Sequence, residues 1–296
     1  MGGGAFCFDP WPPGDEKTEM IPLEDYSEDI VGKVMRGRGI SEEQLCANAG
    51  ITAAELQALL DGEALEDALR KVAPVLGLGA EQLVVCARKT WYPDQPGTLD
   101  GFAMANTTFH DMAVNAYVVW DPDTRKAVVF DSGADCEPLL EVIRKHDLTV
   151  ELILLTHAHT DHVVDLEKLV GETGNPPVWI NGLERDDEDF PDGAHTFDAG
   201  RGFSVDGLTI DTLLTSGHSA GGTTFLVGGL GQALAIIGDS LFAGSMGGSM
   251  TAYEEGRRNN IEKILPLAED TILAPGHGPL TTVVQERAHN PFFTGT

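Results

Sequence analysis

The sequence predicts an α/β domain preceded by a small all-α bundle. Residues 27 to 88 carry helical hydrophobic spacing punctuated by capping residues. From about residue 98 the pattern changes to short apolar runs alternating with helical stretches, as α/β domains do. Several of those runs deliver a His or an Asp at their C-terminal edge, where α/β proteins collect ligand-binding groups.

Residues 1–26 are rich in Gly, Pro and acids and read as a mobile or loosely docked acidic arm. The small helical unit spans 27–88. Ile30, Val34 and Ile40 begin its first segment. Ser41, with Gln44 three residues later, spells a capping box before Leu45. Ala49-Gly50-Ile51 breaks that helix, and Thr52 caps Ala53–Leu60, with Leu56, Leu59 and Leu60 on one face. Asp61-Gly62 ends it. Leu65, Leu69, Val72 and Val75 mark a fourth helix, and Leu83 to Val85 close the bundle. Residues 89–97, with Trp91-Tyr92-Pro93 and Gln95-Pro96-Gly97, read as a linker to the α/β domain over 98–296.

The run Ser41 to Gly62 resembles the helix-turn-helix of phage-repressor-type regulators. A recognition helix faces phosphates and base edges with Arg, Lys, Asn or Gln. Here Thr52 to Leu60 offers Gln57, carries Glu55, and has no Lys or Arg. The expected role is therefore packing or homodimerisation. A DNA-binding regulator with a metal-bearing sensor domain is the competing reading.

The formal net charge of −28 agrees, because such a field repels nucleic acid and anionic membranes. No stretch approaches the roughly 18 uninterrupted apolar residues of a membrane span. Met1 to Pro13 has no basic n-region and no apolar h-region, which argues against a secretory signal. Cys7, Cys46, Cys86 and Cys136 are widely spaced and form no CxxC, so free thiols in a reducing cytoplasm are expected.

The chemistry sits where the apolar runs end. Ala127–Phe130 ends at Asp131, and Leu152–Leu155 at Thr156-His157. Leu213-Leu214 leads to His218, Ala233–Ile237 to Asp239, and Ile272–Ala274 to Pro275-Gly276-His277. The densest piece is His157-Ala158-His159-Thr160-Asp161-His162. Two residues apart on an extended loop, His157 and His159 can share one cation. Asp161 and His162 open the helix expected over Val163 to Val170 and can address a second. Imidazole and carboxylate at this density suit Zn²⁺, Mn²⁺ or Fe²⁺. His110, His146, His195 and His289 read as structural or surface residues.

Together these motifs resemble the metallo-β-lactamase fold family over about residues 98 to 296. The resemblance implies an αββα sandwich with a two-metal site at one edge of its sheets. His157, His159 and His218 would hold the first metal. Asp161, His162 and His277 would hold the second, and Asp239 would bridge them. Asp131, in Phe130-Asp131-Ser132-Gly133, matches the acid that orients the site. Two divalent ions, zinc expected with iron or manganese as alternatives, would share a water and lower its pKa toward neutrality. The resulting hydroxide would attack a small acyl substrate, with Asp161 orienting it or taking its proton. Cys136 is then a bystander.

Asp239 and His162 argue against classical zinc β-lactamases. Gly238-Asp239-Ser240-Leu241-Phe242, Ile272 to Thr282, and Glu286-Arg287 followed by Asn290-Pro291-Phe292 resemble the glyoxalase II-like branch. That branch implies a thioester substrate. Where it continues Arg-Thr-Asp after Gly247, this chain has Gly248-Ser249-Met250. Phe242, Met246 and Met250 are candidate pocket residues. A persulfide dioxygenase, which uses one iron and oxygen, is the alternative within the same fold.

Overall fold

The computed structural model describes residues 6–8 and 20–294. The capped segments near the N-terminus form helices α1 (Ser27–Arg38), α2 (Glu42–Ala49), α3 (Ala53–Leu60), α4 (Glu66–Leu76) and α5 (Ala80–Ala87). Ser41 and Thr52 both close capping boxes, with Gln44 and Glu55 returning to the cap N–H. Gly50 ends α2 at φ 65°, a left-handed turn that glycine adopts without steric cost.

Two sheets follow. The first runs in the order β1 (Phe6–Phe8), β2 (Phe102–Phe109), β3 (Met112–Trp120), β4 (Lys126–Phe130), β5 (Thr149–Leu154), β6 (Val178–Asn181), β7 (His195–Phe197). Strands β4 to β7 pair in parallel. Helix α6 (Glu137–Lys145) connects β4 to β5, and α7 (Thr160–Val163) and α8 (Leu166–Glu172) connect β5 to β6.

The second sheet contains β8 (Gly202–Val205), β9 (Leu208–Leu214), β10 (Thr223–Gly228), β11 (Leu234–Gly238), β14 (Ile272–Pro275) and β15 (Thr281–Thr282). Its order is β15-β14-β11-β10-β9-β8. A small ribbon of β12 (Leu241–Phe242) and β13 (Ser245–Met246), then α9 (Tyr253–Asn259), lie between β11 and β14. Helix α10 (Val283–His289) closes the chain.

Side-chain alternation builds the layers. On β11, Leu234 and Ile236 face the other sheet, whereas Ala235 and Ile237 face helices. Between the sheets Phe130 and Phe225 meet with ring centroids 5.3 Å apart. Outside the first sheet, Val129 and Ile153 pack under Leu139 and Leu140 of α6 and Leu169 of α8.

Outside the second sheet, the N-terminal bundle itself is the cover. Ile30, Leu56, Leu69 and Leu83 share one buried cluster with Ala235, Ile237, Leu273, Tyr253 and Phe292. Each fully buried Leu or Ile of that cluster contributes about 1.5–3 kcal/mol. Gly37 is where α1 meets α9, since a Cβ there would stand 2.7 Å from the Tyr253 ring.

The helix expected over Val163 to Val170 is two helices. It breaks at Val164-Asp165, where Asp165 leaves the helical conformation and its carboxylate accepts from the Cys136 N–H at 2.8 Å. The linker segment is pinned at several points. Tyr92 Oη donates to the Ile21 carbonyl at 2.9 Å, and Gln95 Nε2 to the Leu280 carbonyl at 2.9 Å. Of the acidic arm, Phe6–Phe8 pairs antiparallel with β2, Glu24 passes beside Gly278, and the Asp25 carboxylate accepts from Ser245 Oγ at 2.5 Å. The remainder of the arm lies outside the described residues.

Candidate metal centre

Strands β4, β5, β9, β11 and β14 bring the predicted residues to one rim of the sandwich. Three sets of ligand atoms gather within 4.8 Å: His157, His159 and His218; His157, His162 and Asp239; Asp161, His162 and His277. The first and last are the two triads expected from the motif order. Asp239 lies between them, with Oδ2 3.3 Å from His218 Nε2 and 3.3 Å from His277 Nε2. Asp161 Oδ2 is 3.3 Å from His277 Nε2.

The hydrogen bonds behind the rings fix which nitrogen faces inward. His218 Nδ1 meets the Gly248 carbonyl at 2.9 Å, and His277 Nδ1 the Ala113 carbonyl at 2.7 Å. Carbonyls only accept, so in both rings Nδ1 carries a proton and Nε2 is the nitrogen turned to the site. His162 Nδ1 is 3.1 Å from Asp131 Oδ2. Thr156 Oγ1 donates to Asp131 at 2.8 Å and so accepts from His157 Nδ1 at 3.0 Å. His159 points the other way, its Nδ1 2.9 Å from His218 Nε2. Such outer partners orient ligands and set tautomers in metal sites.

The fit to a cation shows in atoms left over. His157 Nε2, His162 Nε2 and Asp239 Oδ1 are buried without a hydrogen-bond partner. Buried polar atoms are almost always paired. Three orphans converging at one point are what a metal ion would satisfy.

Electrostatics carry the same sign. Burial drives His157 well below the ordinary imidazole range. Burial also pulls down His162 and His277, but Asp239, with Asp131 for the first and Asp161 and Glu24 for the second, outweighs it. They stand at about 10 and about 12. Burial raises Asp239, yet His277, His162 and His218 hold it well below the usual carboxylate range. The pocket thus stabilises anionic ligands facing cationic charge, the condition a divalent ion would impose permanently.

Close packing explains the glycine before His277. A Cβ on Gly276 would lie 2.0 Å from Asp239 Oδ1 and 2.8 Å from His162 Cε1.

Residues 111–277, more than half of the chain, match the profile of the Metallo-beta-lactamase superfamily. The chain belongs to this superfamily. The hydroxyacylglutathione hydrolase GloC of Haemophilus influenzae is 32% identical over 60% of this chain and 92% of its own length. The probable metallo-hydrolase YqgX of Bacillus subtilis is 30% identical over 61% and 92%. Among solved structures, the B3 metallo-beta-lactamase BLEG-1 is 31% identical with a TM-score of 0.56, over 65% of this chain and all of that one. TTHA1623, solved in a di-iron-bound form, is 28% identical with a TM-score of 0.52, over 63% and 98%. ETHE1 from Myxococcus xanthus, at 21% identity and a TM-score of 0.54, shares the fold.

The sandwich presents its site at a loop rim, and two residues outside the predicted ligand set brace it. Glu184, buried, accepts from Ala158 N at 3.0 Å and from Gly221 N, tying the His157–His159 loop to the His218 loop. An acid among Arg185, Asp186 and Asp187 gave no signal in the sequence. Thr156 is the other, and its place directly before His157 was the signal available. Asp131 is buried behind the rim, where its carboxylate holds the side chains of Thr156 and His162. Its φ of 59° turns the carboxylate back onto Thr156 and His162, in a left-handed conformation that Asp tolerates better than most residues.

The other histidines lie against aromatic rings: His289 stacks on Trp91, His146 and His195 sit tilted against Trp120 and Trp179, and His110 meets Phe109 edge-on. Of the candidate pocket residues, Met246 is buried in the core under α1, Phe242 packs on His277 at 5.5 Å, and Met250 is 79% exposed beside the site. Cys46, Cys86 and Cys136 are free thiols. Burial pushes Cys136 up to about 12, which removes it as a nucleophile.

Proposed function

We propose that this chain is a dinuclear metal-dependent hydrolase of thioesters or related small acyl substrates. The observation that carries the reading is the pair of triads joined by Asp239, with buried unpartnered polar atoms turned to a common centre. His157, His159 and His218 would hold one ion, and Asp161, His162 and His277 the other, with Asp239 between. Two divalent ions, when bound, supply a water of lowered pKa and polarise the carbonyl oxygen.

The chain's own groups do the rest. Burial raises Asp161, but the hydrogen bond from His277 and the charge of His162 outweigh it and keep the carboxylate below its usual range. So held, it stays ionised and would orient the attacking water. Asp131 would keep His162 in the ligating tautomer. Zinc fits the donor set. The di-iron form of TTHA1623 supports iron as the alternative.

The thioester preference rests on the name of the Haemophilus relative and on the sequence resemblance to the glyoxalase II-like branch. The helical segment 27–88 is read as a packing layer, since its apolar face is consumed by the second sheet. Nucleic acid is not a proposed partner, because α3 presents no Lys or Arg. No described helix is long and apolar enough to cross a membrane.

The test is thiol release from S-lactoylglutathione by the metal-loaded protein, beside nitrocefin hydrolysis and oxygen uptake with glutathione persulfide. Thiol release abolished by Asp239→Ala is expected. Activity confined to nitrocefin or to the persulfide would replace the thioester reading with the corresponding one.

A further inference from the structure

Helix α1 reaches the mouth of the metal centre, and what it brings there is positive charge. A cleft of about 290 Å³ opens beside His159 and His218, lined also by Lys33, Arg36, Ser249 and Met250. The chain holds 47 acidic residues against 19 Lys and Arg. Yet among the described residues no carboxylate lines this cleft, and two cations do.

The two cations differ in availability. Lys33 is half-buried, ion-paired with Asp25 and donating to the Met246 carbonyl at 3.0 Å. Its charge is already matched. Arg36 is exposed and has no ion pair or side-chain hydrogen bond among the described residues. Its side chain lies back along α1 over Gly32, where a Cβ would stand 3.0 Å from the guanidinium. Long side chains on a helix lean toward its N-terminus in this way. On the opposite wall, Gly247-Gly248-Ser249-Met250-Thr251 carries no charge of its own.

We propose that Arg36, supported by Lys33, forms a carboxylate-binding subsite at the mouth of the metal centre and selects acyl substrates that carry an anionic group. A guanidinium presents a planar fork of donors that matches a carboxylate in two-point contact. A substrate whose carbonyl sits at the His157, His159 and His218 triad would extend its anionic end into this cleft. The helical segment is then part of the substrate site as well as a packing layer. This inference rests on the hydrolase reading above.

The experiment uses the full-length, metal-loaded protein and two thioesters with the same acyl group. S-lactoylglutathione carries carboxylates, and S-lactoyl-N-acetylcysteamine is uncharged. Arg36→Ala is expected to raise the KM for the glutathione thioester about 10-fold more than for the neutral one, equivalent to about 1.4 kcal/mol. Arg36→Lys should recover part of that difference, and Arg36→Glu should enlarge it. Equal effects on both substrates, or none, would overturn the subsite. Glutathione binding by calorimetry keeps the two readings separable. If neither thioester is hydrolysed, the hydrolase reading fails and the subsite is judged on binding alone. Weaker glutathione binding in Arg36→Ala then supports it, and unchanged or absent binding overturns it.

Discussion

Gly276→Ala isolates the metal geometry with a single methyl group. Gly276 has no left-handed φ, so alanine meets no backbone objection there. The obstacle is contact: the new Cβ would lie 2.0 Å from Asp239 Oδ1 and 2.8 Å from His162 Cε1. The backbone cannot retreat easily. Gly276 N donates to the Gly238 carbonyl at 2.9 Å, and its carbonyl accepts from Asn115 N at 2.8 Å. Asp239 must therefore withdraw by about 1 Å or more to reach ordinary contact, whereas coordination distances tolerate about 0.2 Å. The expected result is at least about a 100-fold loss of affinity at the second site, the upper end of what displaced ligand support costs. Competition with a chromophoric chelator measures it, with circular dichroism confirming the fold. A folded Gly276→Ala protein that binds both metals with wild-type affinity would refute the packing argument.

Four further outcomes follow from the same geometry. Asp131→Asn places an amide N–H against His162 Nδ1, reverses the ring's tautomer, and should weaken the second metal about 10- to 100-fold in a chelator titration. Glu184→Ala strands the buried N–H groups of Ala158 and Gly221. At about 1–3 kcal/mol for each group, urea denaturation should show a loss of about 2–6 kcal/mol. His162 and His277 have folded pKa values of about 10 and about 12, above the free imidazole's 6.5. Their stabilisation of the metal-free fold is complete below about 6.5 and is lost as pH rises through those folded values. Metal loading at neutral pH must displace their protons, so calorimetry in buffers of different ionisation enthalpy should show proton release and affinity rising with pH. A chain beginning at residue 89 exposes Ile237, Leu273, Tyr253 and Phe292. It should aggregate or unfold on expression, and a soluble, metal-loaded fragment would contradict the shared core.

Much of the site was legible because its ligands fall at the ends of apolar runs. Asp239 follows β11 directly and His157 lies three residues past β5, so the strand pattern alone located them. Ser41 and Thr52 announced their helices because a cap needs its partner three residues on, a local requirement. What the sequence hid depends on distant contacts. Glu184 acquires its role from Ala158 and Gly221, which lie on separate loops. At the break, Asp165 meets Cys136, 29 residues earlier. Arg36 reads as one more charge on a helix surface until the fold sets α1 against the Gly247–Thr251 loop. The bundle's place as the outer layer of the second sheet was equally invisible, because apolar faces do not name the surface they will cover.

The measurement that tests the account most directly is metal stoichiometry by elemental analysis after reconstitution and removal of unbound ions. About two metal ions per chain are expected for the wild type and about one for His277→Ala, which removes a ligand of the second triad alone. One ion or none in the wild-type protein would contradict the dinuclear centre.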